Sequence, residues 1–85
     1  MLHYWRDRPL RWFRSARRHR VGKAHALQVV TTITPTLVPA TDAYDERLVW
    51  IGEDDRGIEL EIVALALLDA VVVIHVMPTA LRSSS

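Results

Sequence analysis

The stretch RLVWIGEDDRGIELEIVALALLDAVVVIHVM, residues 47–77, decides the fold. Its apolar residues recur at every second position, the period of a strand whose side chains alternate between two faces. Arg47 to Glu53 reads as a first strand, with Leu48 and Trp50 on one face and Val49 and Ile51 on the other. Asp54, Asp55, Arg56 and Gly57 form a turn in which Gly57 takes the positive φ that a tight hairpin requires. Ile58 to Leu67 follows, with Ile58, Leu60 and Ile62 inward and Glu59 and Glu61 outward. Ala70 to Met77 is a β-branched strand, with Val72 and Ile74 on one face and Val71, Val73 and His75 on the other; Pro78 ends it. The run Ile62 to Met77 is apolar except for Asp69 and His75. It falls short of the roughly 20 residues that span a bilayer, and a central Asp is costly there. Two buried strands joined at Leu68–Asp69 explain it better, and no membrane is expected.

Upstream of this meander the period changes. Ala16 to Ile33 reads as one helix with Ser15 as its N-cap. Ala26, Leu27, Val30 and Ile33 share an arc, His19 falls close to it, and His25, Gln28 and Thr32 lie opposite. Gly22 weakens this helix by about 1 kcal/mol relative to Ala, and Pro35 ends it. Thr36 to Ala40 is a short strand that contains Pro39, which places it at a sheet edge. Leu10 to Phe13 can form another. The expected fold class is α+β, one main helix packed on a three- to four-stranded antiparallel sheet. Residues 15–82 form the single domain, preceded by a basic, aromatic-containing arm (1–14) and followed by a tail (83–85).

The 85 residues allow one domain, and the absence of cysteine excludes a disulfide framework and thiol chemistry. The net charge of +1 hides an asymmetry: residues 1–23 hold eight cations against Asp7, and the remainder holds three arginines against nine acids. A basic arm on an acidic body suits nucleic acid. Its start is positive like that of a signal peptide, but no apolar run follows, so a cytoplasmic protein is expected.

No phosphate-binding glycine loop, HExxH, GxSxG or EF-hand loop is present. His19 and His25 are six residues apart and cannot share a helix face as zinc ligands do, so neither metal nor cofactor is expected. Asp54 and Asp55 read as solvated turn acids, and Glu59 and Glu61 as a wet sheet face. What remains is a basic set of Arg18, His19, Arg20, Lys23, Arg47, Arg56, His75 and Arg82. Metal-free RNA cleavage needs such a set: a base for the 2′-hydroxyl proton, cations for the charge on phosphorus, an acid for the leaving oxygen. Histidine serves either proton-transfer role near neutral pH.

Several short motifs in order resemble the BrnT-type toxins, relatives of the RelE-like ribonucleases. Arg18-His19 followed by Val21 and Ala26 is similar to that family's Lys-His before an amphipathic stretch. Glu46-Arg47 and Ile51-Gly52 resemble its Glu-Arg and Ile-Gly, Gly57 with Leu60 its hairpin, and Val71 to Arg82 its apolar last strand with a late Arg. The resemblance implies metal-independent RNA cleavage and neutralisation by a ribbon-helix-helix antitoxin; the expected assembly is a homo-oligomer or a toxin–antitoxin hetero-oligomer. Carried over, it implies a site of His19 with Arg18, Arg47 and Arg82. The family's Ser-Ala-Arg after the last strand is replaced by Val76-Met77-Pro78-Thr79.

The candidate catalytic residues are therefore His19, Arg47, His75 and Arg82. Arg11, Arg14, Arg17, Arg18, Arg20 and Lys23 are the candidate RNA contacts. Two other classes remain open: a non-catalytic nucleic-acid-binding module, and a structural partner that pairs through a sheet edge.

Overall fold

The computed structural model describes residues 4–84, with side chains from Arg6 to Leu81. Residues 1–3 of the expected arm, the Arg82 side chain and Ser85 lie outside the described residues. The fold is α+β: one helix, α1 (Lys23–Thr32), packs on a five-stranded sheet. The strands are β1 (Leu10–Trp12), β2 (Thr36–Val38), β3 (Arg47–Glu53), β4 (Glu59–Ala66) and β5 (Val71–Pro78), in the order β1-β5-β4-β3-β2.

The expected meander is present. β3, β4 and β5 pair antiparallel, and β2 adds to the edge of β3. Gly57 has φ +77° in the β3–β4 turn, with its N–H donating to the Asp54 carbonyl. Leu48 and Trp50 on β3 meet Leu60, Ile62 and Ala64 on β4, all fully buried. Ala26, Val29 and Val30 of α1 close over them. Ile58 does not join this core; it stays exposed in the turn, because β4 begins only at Glu59.

The sheet is mixed rather than wholly antiparallel. β1 pairs parallel to β5, Leu10 opposite Val71 and Trp12 opposite Val73. Leu10 and Trp12 pack against the core while Arg11 turns away, the alternation of an edge strand with one buried face. The basic segment is thus part of the domain from Leu10 onward, and a boundary at residue 14 would cut the sheet.

The single helix expected over residues 16–33 is broken. Arg14–Arg17 forms a 3₁₀ turn, Arg20 sits at φ +57°, and Gly22 is the extended N-cap of α1. Burial dictates the break. Ala16 packs into the core beside β5, whereas α1 lies over β3 and β4, and a straight helix cannot serve both. Ser15 accordingly caps no helix; its hydroxyl donates to the Ile74 carbonyl, 2.5 Å away. After β5 the chain forms a 3₁₀ helix, Thr79–Ser84, which takes in residues 83 and 84 of the expected tail.

One irregularity in β5 controls the site. Val63 pairs with His75 but Ala64 pairs with Val73, so Ile74 is an extra residue, a β-bulge. The alternation slips by one there. Val71, Val73 and Val76 are buried, while Ile74 and His75 are not. His75 therefore lies on the face opposite Val71 and Val73, not with them as strict alternation requires.

Candidate active site

The sheet face turned away from α1 carries Arg47, Val49 and Ile51 of β3, Glu61, Val63 and Leu65 of β4, and Val72, His75 and Met77 of β5. His75 Nε2 lies 3.2 Å from Glu61 Oε1, and the Glu61 side chain is only 13% exposed. An Nε2–H donated to that carboxylate leaves Nδ1 as a proton acceptor. The turn after the Arg14–Arg17 segment brings His19 to the same place. The two imidazoles meet edge to face, centroids 5.9 Å apart and planes at 81°.

Burial pushes the His75 imidazole below its ordinary value, and the Arg18 charge pushes it the same way. The site thus sets a neutral imidazole, held by a carboxylate, against a second imidazole, with the Arg18 cation near enough to act on His75. Arg18 also lines an open cleft of about 420 Å³ with Phe13, Arg14 and Ser15.

Of the residues singled out from sequence, His19, His75 and Arg18 come together. Arg47 is on the same face but further off. It pairs across to Leu65, two strands from β5 and two residues out of step with the Val63–His75 level, about 12 Å by strand spacing and rise. Its guanidinium lies over the Tyr44 ring at 5.3 Å, and its Nε is buried without a hydrogen-bond partner among the described residues. Arg11, Arg14, Arg17, Arg18, Arg20 and Lys23 are all exposed. Lys23 Nζ sits 5.7 Å from the centre of the Trp12 ring.

Two acids differ from their sequence reading. Glu61 is no solvated residue but the partner of His75; only the register of β4 and β5, bulge included, reveals it. Asp54 is 6% exposed, not a solvated turn acid. Its Oδ1 accepts from the backbone N–H of Arg56 and Ile58, and its Oδ2 from the Arg56 Nε and Nη2. Burial raises its carboxyl, but these bonds outweigh burial and hold it below the ordinary range. His25 Nδ1 meets Asp55 Oδ1 at 2.6 Å, and Asp54 is close enough to complete a three-residue donor set. A cation there would have to displace Arg56 from Asp54, so the cluster reads as a tie between α1 and the hairpin.

Among the described residues, no helix is long and apolar enough to cross a membrane. Compared with known proteins, the chain matches no family model, no curated protein and no solved structure.

Proposed function

We propose that this chain is a metal-independent endoribonuclease of the BrnT type, a small toxin of a bacterial type II toxin–antitoxin system. In this reading it acts in the cytoplasm on RNA and is neutralised by a ribbon-helix-helix antitoxin. The observation that carries the proposal is the His19–His75 contact, with Glu61 behind His75 and Arg18 beside it.

The reaction follows from these groups. His75 Nδ1 takes the proton of a ribose 2′-hydroxyl, and the 2′-oxygen bonds to the adjacent phosphorus. The bond from phosphorus to the 5′-oxygen breaks as protonated His19 gives that oxygen its proton. The products are a 2′,3′-cyclic phosphate and a 5′-hydroxyl; one proton enters through His75 and one leaves through His19. Arg18 stabilises the additional charge on phosphorus. Glu61 holds the His75 tautomer and ring orientation, a positioning role. Arg47, distant from the pair, contacts the RNA strand away from the reacting phosphate.

Purified protein incubated with RNA in EDTA tests this. Cleavage should leave cyclic-phosphate ends, and His75→Gln and His19→Gln should each slow it by about 10²-fold or more. Arg47→Ala should weaken binding and reduce its salt slope by about one, with kcat nearly unchanged. Cleavage that stops with chelator, or that survives both histidine changes, overturns the proposal.

A further inference from the structure

Phe13 is a large apolar residue left 60% exposed, yet its position is closely held. Its N–H donates to the Val73 carbonyl at 2.8 Å, continuing the β1–β5 ladder by one residue. Its backbone is extended, with φ −81° and ψ 159°. Leu10 and Trp12 turn to the core, so alternation turns Arg11 and Phe13 to the other face, the one that carries His75. Ser15, two residues on, is also fixed: its Oγ donates to the carbonyl of Ile74, the neighbour of His75 in the bulge. The exposed ring therefore stands on a fixed stretch of backbone one strand from the histidine pair.

Its surroundings match a nucleotide. The cleft that Phe13 shares with Arg14, Ser15 and Arg18 is about 420 Å³, within the roughly 300–1,000 Å³ of small-ligand sites. Its lining includes one aromatic side chain, Phe13, and two arginines, Arg14 and Arg18. A nucleotide offers the complement, a flat ring to stack and a phosphate to pair. Arg18 belongs both to this cleft and to the surroundings of His75, so a phosphate bound there leads toward the reacting position.

Building on the ribonuclease reading, we propose that Phe13, Arg14 and Arg18 form a nucleotide subsite that stacks one unpaired base beside the His19–His75 pair. The substrate is then single-stranded RNA. A base inside a duplex has both faces covered and reaches Phe13 only after it has been flipped out, at an energetic cost. Phe13 is a specificity-determining residue; it takes no part in proton transfer.

The test is fluorescence anisotropy with a short labelled RNA whose riboses are 2′-O-methylated, which permits binding and blocks cleavage. The same strand annealed to its complement is the second probe. Phe13→Leu should weaken single-strand binding about tenfold, Phe13→Trp should restore it, and duplex binding should be weak and equal in all three proteins. Urea midpoints of the three should agree, since the side chain is exposed. On unmodified RNA, Phe13→Leu should raise KM with little change in kcat. Unchanged single-strand binding in Phe13→Leu, or an equal loss on the duplex, overturns the subsite. Histidine-dependent cleavage that ignores Phe13 would remove the subsite and leave the ribonuclease standing. Phe13-dependent binding without any cleavage would do the reverse.

Discussion

Ser15 donates its hydroxyl hydrogen bond to the carbonyl of Ile74, the one residue by which β5 is longer than its match on β4. A bulge leaves a residue outside the regular ladder. Here a side chain from the segment that carries Phe13, Arg18 and His19 takes up that residue's carbonyl. The bulge thus does two things at once: it turns His75 to the open face and anchors the segment that brings His19 to meet it.

Ser15→Ala should therefore lower stability by about 1 kcal/mol, the usual net value of one such hydrogen bond. Its larger effect should be on cleavage, because the anchor of the His19 segment is lost. Urea unfolding and single-turnover cleavage on the same preparation check both. An unchanged cleavage rate would show that the segment is held by Ala16 and the Phe13 N–H alone.

The pH dependence of His75 has a definite sign. Its folded value is below 6.5, so the unfolded chain takes up the proton first as the solution is acidified. The stability that neutral His75 contributes is complete above that ordinary value and is lost as pH falls through the lower folded value. His75→Gln should then lose less stability than the parent protein as pH is lowered from above 6.5 through the folded value. An NMR titration of the imidazole should give a midpoint below 6.5. A midpoint above it would mean that Glu61 outweighs burial and Arg18, and that His75 is better suited to be the acid.

Asp54 and Asp55 are neighbours with different duties. Asp54 accepts four hydrogen bonds out of solvent, while the exposed Asp55 meets the His25 imidazole at the surface. Asp54→Asn should reduce the melting temperature more than Asp55→Asn. Because the Asp54 carboxyl is held below its ordinary 3.8, its contribution is present above that value and lost as pH falls through the folded one. Asp54→Asn should accordingly flatten the acid limb of the stability curve. Equal melting temperatures for the two variants would contradict this assignment.

Two glycines should fail for different reasons. Gly57 has open space around it, and only its φ of +77° opposes a side chain, so Gly57→Ala should cost about 1–2 kcal/mol with no partner able to relieve it. Gly52 has ordinary dihedrals, but a Cβ there would meet Ile33 Cγ1 at 2.5 Å. Gly52→Ala should cost about 1–3 kcal/mol. Adding Ile33→Ala should remove part of that, so the double variant is less destabilised than the sum. Additive urea midpoints would show that the helix end moves aside instead.

What the sequence determined by itself was local. Alternating apolar residues define β3 and β4, the Asp54–Gly57 tetrapeptide defines the turn between them, and Gly57 takes the backbone state that only its missing Cβ makes easy. The residue types that meet, two histidines and Arg18, were legible in the sequence as candidates for proton transfer and charge. Their geometry was not legible. A bulge is a decision between two strands: nothing in AVVVIHVM marks Ile74 as the extra residue, and one slip moves His75 across the sheet and Val76 into the core. The break between Ala16 and Lys23 is likewise tertiary, because helical periodicity runs through it while Ala16 is buried beside β5 and α1 packs over β3 and β4. Glu61 gains His75 as a partner only through that bulge, and Phe13 gains its place only through the parallel pairing of β1 with β5, since a residue's partner across a sheet depends on register and register depends on the whole packed face.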